Sequence, residues 1–302
     1  MGNGKGDNQK EVMEKKLLPI GTAKDIDDNR QTTTAEGEYV YEPFYHDLYN
    51  DLFYKDVVFG NKPNGYFVEV GALDGLRMSQ SFLFERTLGW NGIVVEPNPT
   101  WKKDLRLHRS CNISTEAISD SNGKAIFECR EIPSFSGLKS SVNEARISDI
   151  VNEFEVDTLT LCSLFDKYKA PEVIDWVSID TEGCELDIIK QYFEENSKYK
   201  INLINFESNE IYFAPLLFKD QPYLKIRNPY LDFLKISNQG LLKFNPYAGQ
   251  LYKSPYKEWV YEGSPFSSDI KSVAFEHYYI HMDYLKENLH LKPLLINVNI
   301  LE

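Results

Sequence analysis

From Tyr66 onward the chain alternates between short apolar runs of strand length and longer stretches with apolar residues at helical spacing. Tyr66 to Val70 is a β-branched and aromatic run long enough for one buried strand, and it stops at Gly71, with Gly75 four residues later. Met78 to Leu88 places Met78, Phe82, Leu83 and Leu88 at helical spacing, and Ile93 to Val95 is a second strand closed by Glu96 and Pro97. Pro99 and Thr100 open a helix to about His108, Ile113 to Ile118 is a third strand, and Asn122-Gly123 reads as a hairpin turn into Ala125 to Cys129. Ile132 to Ser148, rich in Ser with Pro133 and Gly137, is a loop able to cover a site. Val156 to Leu161 is a short β-like stretch followed by a helix to Tyr168. Val173 to Ile179 makes the fourth core strand and ends on Asp180; Leu186, Ile188, Ile189 and Phe193 lie on the next helix; Ile201 to Phe206 makes the fifth strand and ends on Glu207. Such alternation predicts an α/β fold, a Rossmann-like, doubly wound, mostly parallel sheet with its ligand crevice at the carboxyl ends of the strands. Glu69, Glu96, Asp180 and Glu207 all fall at or near that edge.

The flanks read differently. Residues 1 to about 37 are polar and charged and are expected to be a disordered tail, with 38–302 a single domain that carries a C-terminal extension from about 254. Phe44, Leu48, Leu52, Phe53, Val57 and Val58 have helical spacing and lead into the turn before Tyr66. Beyond Ser208 the spacing predicts a helix over 230–238, an antiparallel pair from Leu241 to Phe244 and Gly249 to Tyr252, a strand through His277 and His281, and a helix from Asp283 to Leu289.

Composition narrows the partners. Of 302 residues, 33 are Lys or Arg and 46 are Asp or Glu, a net charge of −13 that disfavours nucleic acid and anionic membrane surfaces and favours a small or neutral substrate. The four cysteines show neither CxxC spacing nor the density of a disulfide scaffold, which fits a reducing, cytoplasmic compartment. No stretch has the length of a membrane span, and the start lacks an apolar signal core. Met1-Gly2 opens like a myristoylation signal, but Gly6 stands where Ser or Thr is wanted.

Chemistry concentrates between Tyr66 and Asn98. A glycine turn lets the backbone approach a ligand closely, and Glu96, 21 positions past Gly75, lies where a ribose diol would be bound. The glycines lack GxGxxG spacing, which weakens a nicotinamide reading. Glu69, an acid two residues before the first glycine, suits a cofactor carrying an amino group and a sulfonium, which points to S-adenosylmethionine. Asp74 could equally cap the next helix, and the acids of Asp180-Thr-Glu182-Gly183-Cys-Glu185 could serve a helix macrodipole, a reading that suits Glu182 and Glu185 better than Asp180.

Four segments in order, GYFVEVGALDG (65–75), LGWNGIVVEPNP (88–99), EAISD (116–120) and WVSIDTEGCELDIIK (176–190), resemble the FkbM-type S-adenosylmethionine-dependent methyltransferases over about Asn64 to Ser208. The resemblance implies a class I methyltransferase architecture whose sheet is finished by the C-terminal antiparallel hairpin. It implies that Glu69, Gly71, Ala72, Asp74, Gly75, Ser79, Glu96, Pro97, Glu116, Ala117 and Asp180 hold S-adenosyl-L-methionine, with the adenine near Glu116, Ala117, Ser119 and Asp120. It also implies O-methylation of a hydroxyl on a sugar, glycan or related metabolite, and Ser136-Gly137-Leu138 matches a recurrent feature of the family. Asp180 is the candidate catalytic base, placed to orient or deprotonate the acceptor hydroxyl. A divalent cation between Asp180 and Glu207 is chemically possible and less favoured, and the five histidines show no metal spacing. His277 and His281 are alternative bases, although structural roles suit them better; Tyr247, Tyr252, Tyr256, Trp259 and Tyr261 could stack on a sugar or simply pack. The alternative function is a binding or trafficking protein that keeps the fold without turnover.

Overall fold

Runs that are apolar at every position, rather than at alternate ones, belong to strands buried on both faces, and here they form one sheet. The computed structural model describes residues 31–33, 39–41, 50–141, 148–195, 197–208, 213–226, 228, 235–237, 240–245, 250–253 and 276–296. The chain divides into Met1–Glu42 and Pro43–Glu302. In the first unit β1 (Gln31–Thr33) pairs antiparallel with β2 (Tyr39–Tyr41). Strand β1 thus falls inside the stretch expected to be disordered, and residues 1–30 lie outside the described residues.

In the second unit α1 (Asn50–Leu52) runs directly into a π-helical turn (Phe53–Val58), followed by β3 (Tyr66–Val70), α2 (Phe82–Leu88) and β4 (Asn91–Val95). Then come α3 (Lys102–His108), β5 (Asn112–Ser114), β6 (Ala117–Ile118), β7 (Gly123–Arg130), β8 (Gly137–Leu138) and β9 (Ile150–Leu159). The alternation continues with α4 (Leu161–Tyr168), β10 (Val173–Ile179), α5 (Glu185–Glu194), β11 (Lys200–Glu207), α6 (Phe213–Leu217) and β12 (Tyr223–Ile226). The last elements are β13 (Lys235–Ser237), β14 (Gly240–Asn245), β15 (Gln250–Lys253), β16 (Glu276–His281) and α7 (Met282–Glu287).

The seven-stranded sheet has the order β12-β16-β11-β10-β3-β4-β5. Its strands are parallel except β16, which runs antiparallel between β11 and β12. The order reverses between β3 and β10, so the crevice of a doubly wound sheet opens at the carboxyl ends of those two strands. Side chains alternate across the sheet as the two-residue period requires. Val68, Val70, Ile93, Val95, Val177, Ile179, Ile204 and Phe206 join one buried cluster with Leu164 and Phe165 of α4 and Ile188 and Ile189 of α5. Phe67, Val94, Trp176, Leu203 and Ile280 join the other with Phe53 and Tyr54 from the π-helical turn, Phe84 from α2 and Leu105 from α3.

Several predicted elements are displaced. The pair at 241–244 and 249–252 is present as β14 and β15, but with β13 it forms a separate three-stranded sheet, and the strand that completes the main sheet is β16. Periodicity alone could not rank two apolar hairpin candidates. The helix predicted over 230–238 is replaced at Lys235–Ser237 by β13, and residues 229–234 lie outside the described residues. The single strand at 113–118 splits at Glu116 into β5 of the main sheet and β6 of a four-stranded sheet ordered β6-β9-β7-β8. In that sheet β6 and β7 flank β9, so Asn122-Gly123 is not a hairpin turn between them.

Candidate active site

The helix after the glycine turn begins at Phe82 rather than Met78, because the intervening residues bond to Glu69 instead of to one another. Met78 has φ +58°, and Glu69 accepts from Ser79 Oγ at 2.9 Å, the Gln80 amide at 2.7 Å and Ser81 Oγ at 2.5 Å. The turn is therefore an extended loop from Gly71 to Ser81. Two of its residues besides glycine, Leu73 (φ +48°) and Met78, are left-handed, a conformation found mostly where surrounding contacts over-determine it.

A cavity with about 370 Å³ of empty space, partly open to solvent, lies at the switch between β3 and β10. Gly71, Glu96, Pro97, Ala117 and Asp180, five of the residues singled out from sequence, line it. The remaining wall comes from Ile118, Phe127, Ser136, Gly137, Leu138, Thr181 and Cys184, with Val70 and Val95 beneath. Gly71 has φ +89°, and a Cβ there would stand 2.0 Å from the Asp180 carbonyl oxygen, so the two strand ends can approach only because the side chain is missing.

Glu96 is 5% exposed. One of its oxygens accepts from the Leu73 amide at 2.9 Å and the other from the Asn98 amide at 2.8 Å, so the carboxylate spans the turn after β3 and the turn after β4. Burial pushes its pKa up to about 7, against which these two amides act only in part. Asp180 is held well above the usual carboxylate range by burial, reinforced by the negative charges of Glu207, Glu185, Glu276 and Glu96. Strands β10 and β11 end level, with Ile179 opposite Phe206, and Glu207 stands opposite Glu276 of β16. Asp180 thus belongs to an acidic edge. Glu185 accepts from the Thr181 and Gly183 amides at 2.8 and 3.0 Å and ties down the turn that follows Asp180.

Six other sequence-predicted residues do not line the cavity. The carboxylate of Glu69 is taken up by Ser79, Gln80, Ser81 and Arg109. Ser79 is occupied in the same network, accepting from the Phe82 amide at 3.0 Å. Asp74 accepts from the Leu76 and Arg77 amides at 2.9 and 2.8 Å, a turn inside the loop rather than the helix cap that the sequence also allowed, since α2 begins only at Phe82. Gly75, with φ +78°, is packed so tightly that a Cβ would meet Leu105 at 2.6 Å and Arg109 at 2.7 Å. Ala72 is buried, its amide donating to the Val95 carbonyl at 3.1 Å. Glu116 pairs with Lys167, which with Ser114 holds its carboxyl below the ordinary range although burial opposes this. Five of these six side chains or turn positions therefore support the loop and its neighbours; Glu116 fastens β6 to α4.

His277 is a poor base. It is buried and stacked 4.9 Å from Phe206, with Nδ1 3.2 Å from Lys225 Nζ and Nε2 3.2 Å from the Ser208 carbonyl. Burial, with the Lys225 charge, presses its pKa down to about 4. His281 caps α7, accepting from the Asp283 amide at 3.1 Å. Tyr247, Tyr256, Trp259 and Tyr261 lie outside the described residues, and Tyr252 falls on β15. Among the described residues no group of three or more His, Cys, Asp or Glu is placed to hold a metal ion, and no helix is long and apolar enough to cross a membrane.

Ser136, Gly137 and Leu138, matched from sequence to a recurrent feature of the family, line the cavity; sequence reasoning missed Arg109 and the apolar walls at Ile118 and Phe127. Arg109 follows α3 among Lys102, Lys103, Arg106 and His108, where a cation reads as part of a solvated face.

The family model described as the methyltransferase FkbM domain matches residues 69–236. Comparison with curated proteins returns no match. Among solved structures, the precorrin-6y C5,15-methyltransferase of Geobacter metallireducens GS-15 aligns over 84% of this chain and 94% of its own, at 11% identity and a TM-score of 0.39, a likeness too loose to bear on function.

Proposed function

The chain belongs to the FkbM methyltransferase domain family, and on that premise we propose that it is an S-adenosylmethionine-dependent O-methyltransferase acting on a hydroxyl of a sugar, glycan or related metabolite. The observation that carries the reading is Glu96. It is a nearly buried carboxylate on the cavity wall, bonded by two backbone amides and carrying a pKa near 7 because those amides do not offset its burial. A pair of ligand hydroxyls donating to its remaining lone pairs would supply the missing compensation, which is what a ribose diol offers. Beside it, Ala117, Ile118, Phe127 and Leu138 give an apolar slot suited to a flat base, and the missing side chain at Gly71 leaves room at the switch point. The residues present therefore fit the cofactor.

S-adenosylmethionine brings a methyl group already activated by a sulfonium leaving group. What remains for the protein is to align the acceptor, exclude water and receive one proton. Asp180, at the carboxyl end of β10 on the cavity wall, is the group placed to take that proton, and its raised pKa brings it nearer to a hydroxyl it must deprotonate. Oxygen as acceptor and sugar as acceptor class rest on the family. Incubation with methyl-labelled cofactor and a panel of neutral sugars tests this: label in a base-stable ether supports it. Label in an amine would refute the oxygen reading, and no label in any product despite bound cofactor would favour a non-catalytic role.

A further inference from the structure

The most heavily engaged buried cation of the site region is one that the chemistry above does not use. Arg109, immediately after α3, has a fully buried side chain. Its Nε donates to Glu85 at 2.7 Å. One terminal nitrogen lies within hydrogen-bond distance of Glu69 (3.1 Å), the Gly75 carbonyl (3.3 Å) and Ser79 Oγ (3.1 Å), and the other donates to Ser81 Oγ at 2.7 Å. The guanidinium stands 5.3 Å from the ring of Phe67 and 5.9 Å from that of Phe82, and its aliphatic stem fills the space that a Gly75 side chain would need. One planar group thus grips the end of β3, the middle and the end of the 71–81 loop, and α2.

The loop needs such a grip. Leu73 and Met78 are left-handed without being glycine, so the loop has conformations of its own that it would adopt if released. Its link to the cavity is the Leu73 amide, which donates to Glu96. The chain of contacts therefore runs from Arg109, through Gly75, Ser79, Ser81 and Glu69, to the loop backbone, and from Leu73 to the carboxylate on the cavity wall. We propose that Arg109 is a positioning residue that locks the 71–81 loop in the shape that orients Glu96 toward the cofactor. The cofactor part of this rests on the reading of the site given above; the loop part does not. A lysine keeps the charge but has neither the planar fork nor the reach to five acceptors.

Two variants test it, Arg109→Lys and the milder Ser81→Ala, which removes one hydroxyl's bonds to Arg109 and Glu69 and leaves every charge in place. The readout that needs no cofactor is backbone amide hydrogen exchange. In either variant, exchange in a peptide covering 71–81 should rise about tenfold or more while a peptide covering 173–179 in β10 stays as in the wild type. In calorimetric titration with S-adenosylhomocysteine, Arg109→Lys should weaken binding roughly tenfold and Ser81→Ala roughly threefold, at unchanged stoichiometry. A merely structural role would raise exchange across the whole chain and lower the binding-competent fraction without changing Kd. That pattern, or wild-type exchange in 71–81, overturns the proposal. If Arg109→Lys does not fold, Ser81→Ala decides by the same two readouts. If the wild type binds no S-adenosylhomocysteine, the cofactor reading fails and the loop exchange still decides whether Arg109 holds the loop.

Discussion

Binding of the cofactor should release a proton, and Glu96 should be its source. In the free protein its carboxyl sits near 7, against an ordinary value of 4.5, because burial outweighs its two amide bonds. Two hydroxyls donating to the ionised form would draw that pKa back down, since hydrogen bonds to a charged form favour it. At pH 6 a group with a pKa near 7 is about nine-tenths protonated, so each ligand bound would release roughly 0.9 of a proton; at pH 8.5 the release would be under roughly 0.1. Apparent affinity would then be about tenfold weaker at pH 6 than at pH 8.5, or about 1.4 kcal/mol. Titration of S-adenosylhomocysteine into the protein at pH 6, in buffers of differing ionisation enthalpy, reads the released proton as a slope of observed enthalpy against buffer enthalpy. The slope should approach −1 in size and collapse in Glu96→Gln. A slope near zero in the wild type, or an equal slope in Glu96→Gln, would refute the assignment. Without ligand the same shift has an opposite face. The folded chain holds the extra proton between pH 4.5 and 7, so the contribution of Glu96 to stability is worst above pH 7 and improves as pH falls to 4.5, by up to about 3 kcal/mol.

Three further outcomes follow from the same geometry. Gly71→Ala should lower stability by about 2 kcal/mol or more in urea denaturation and abolish measurable cofactor binding, because the added Cβ would stand 2.0 Å from the Asp180 carbonyl at a left-handed φ; a wild-type midpoint would show that the strand ends can part. Asp180→Asn should raise the thermal midpoint at pH 8, since it removes a carboxyl whose ionisation burial and the charges of Glu207, Glu185, Glu276 and Glu96 oppose in the folded chain, while methyl transfer falls roughly 100-fold or more; retained turnover would give the proton to another group. His277, with a folded pKa near 4 against 6.5 unfolded, contributes stability that is complete above pH 6.5 and lost as pH falls toward 4, so His277→Gln should flatten the acid side of the stability profile, and an unaltered profile would remove His277 as its cause.

Much of the sheet was legible in the sequence because its strands are apolar on both faces and their ends are marked by Gly71, Glu96, Asp180 and Glu207. Lining residues at strand ends were legible for the same reason: Glu96, Pro97 and Asp180 follow their strands directly. What was not legible is where a side chain turns after the strand ends. Glu69 carries the spacing of a ligand-facing acid, yet Ser79, Ser81 and Arg109 reach it from residues 10, 12 and 40 positions away. Met78 and Ser79 look helical by spacing, and only the competing hydrogen bonds to Glu69 and the left-handed φ at Met78 keep them out of α2. The finishing strand was misplaced for a related reason. Two stretches of comparable length were available, and the sheet accepted Glu276–His281, whose Tyr278 reaches the buried Asn50 at 2.7 Å across a separation of 228 residues.

Calorimetric titration of the folded protein with S-adenosylhomocysteine at pH 8.5, with NAD as control, bears most directly on the account. Micromolar binding of the first at one site per chain, with no heat from the second, is the predicted result. No binding of S-adenosylhomocysteine, in protein shown by circular dichroism to be folded, would contradict the assignment of the cavity beside Glu96.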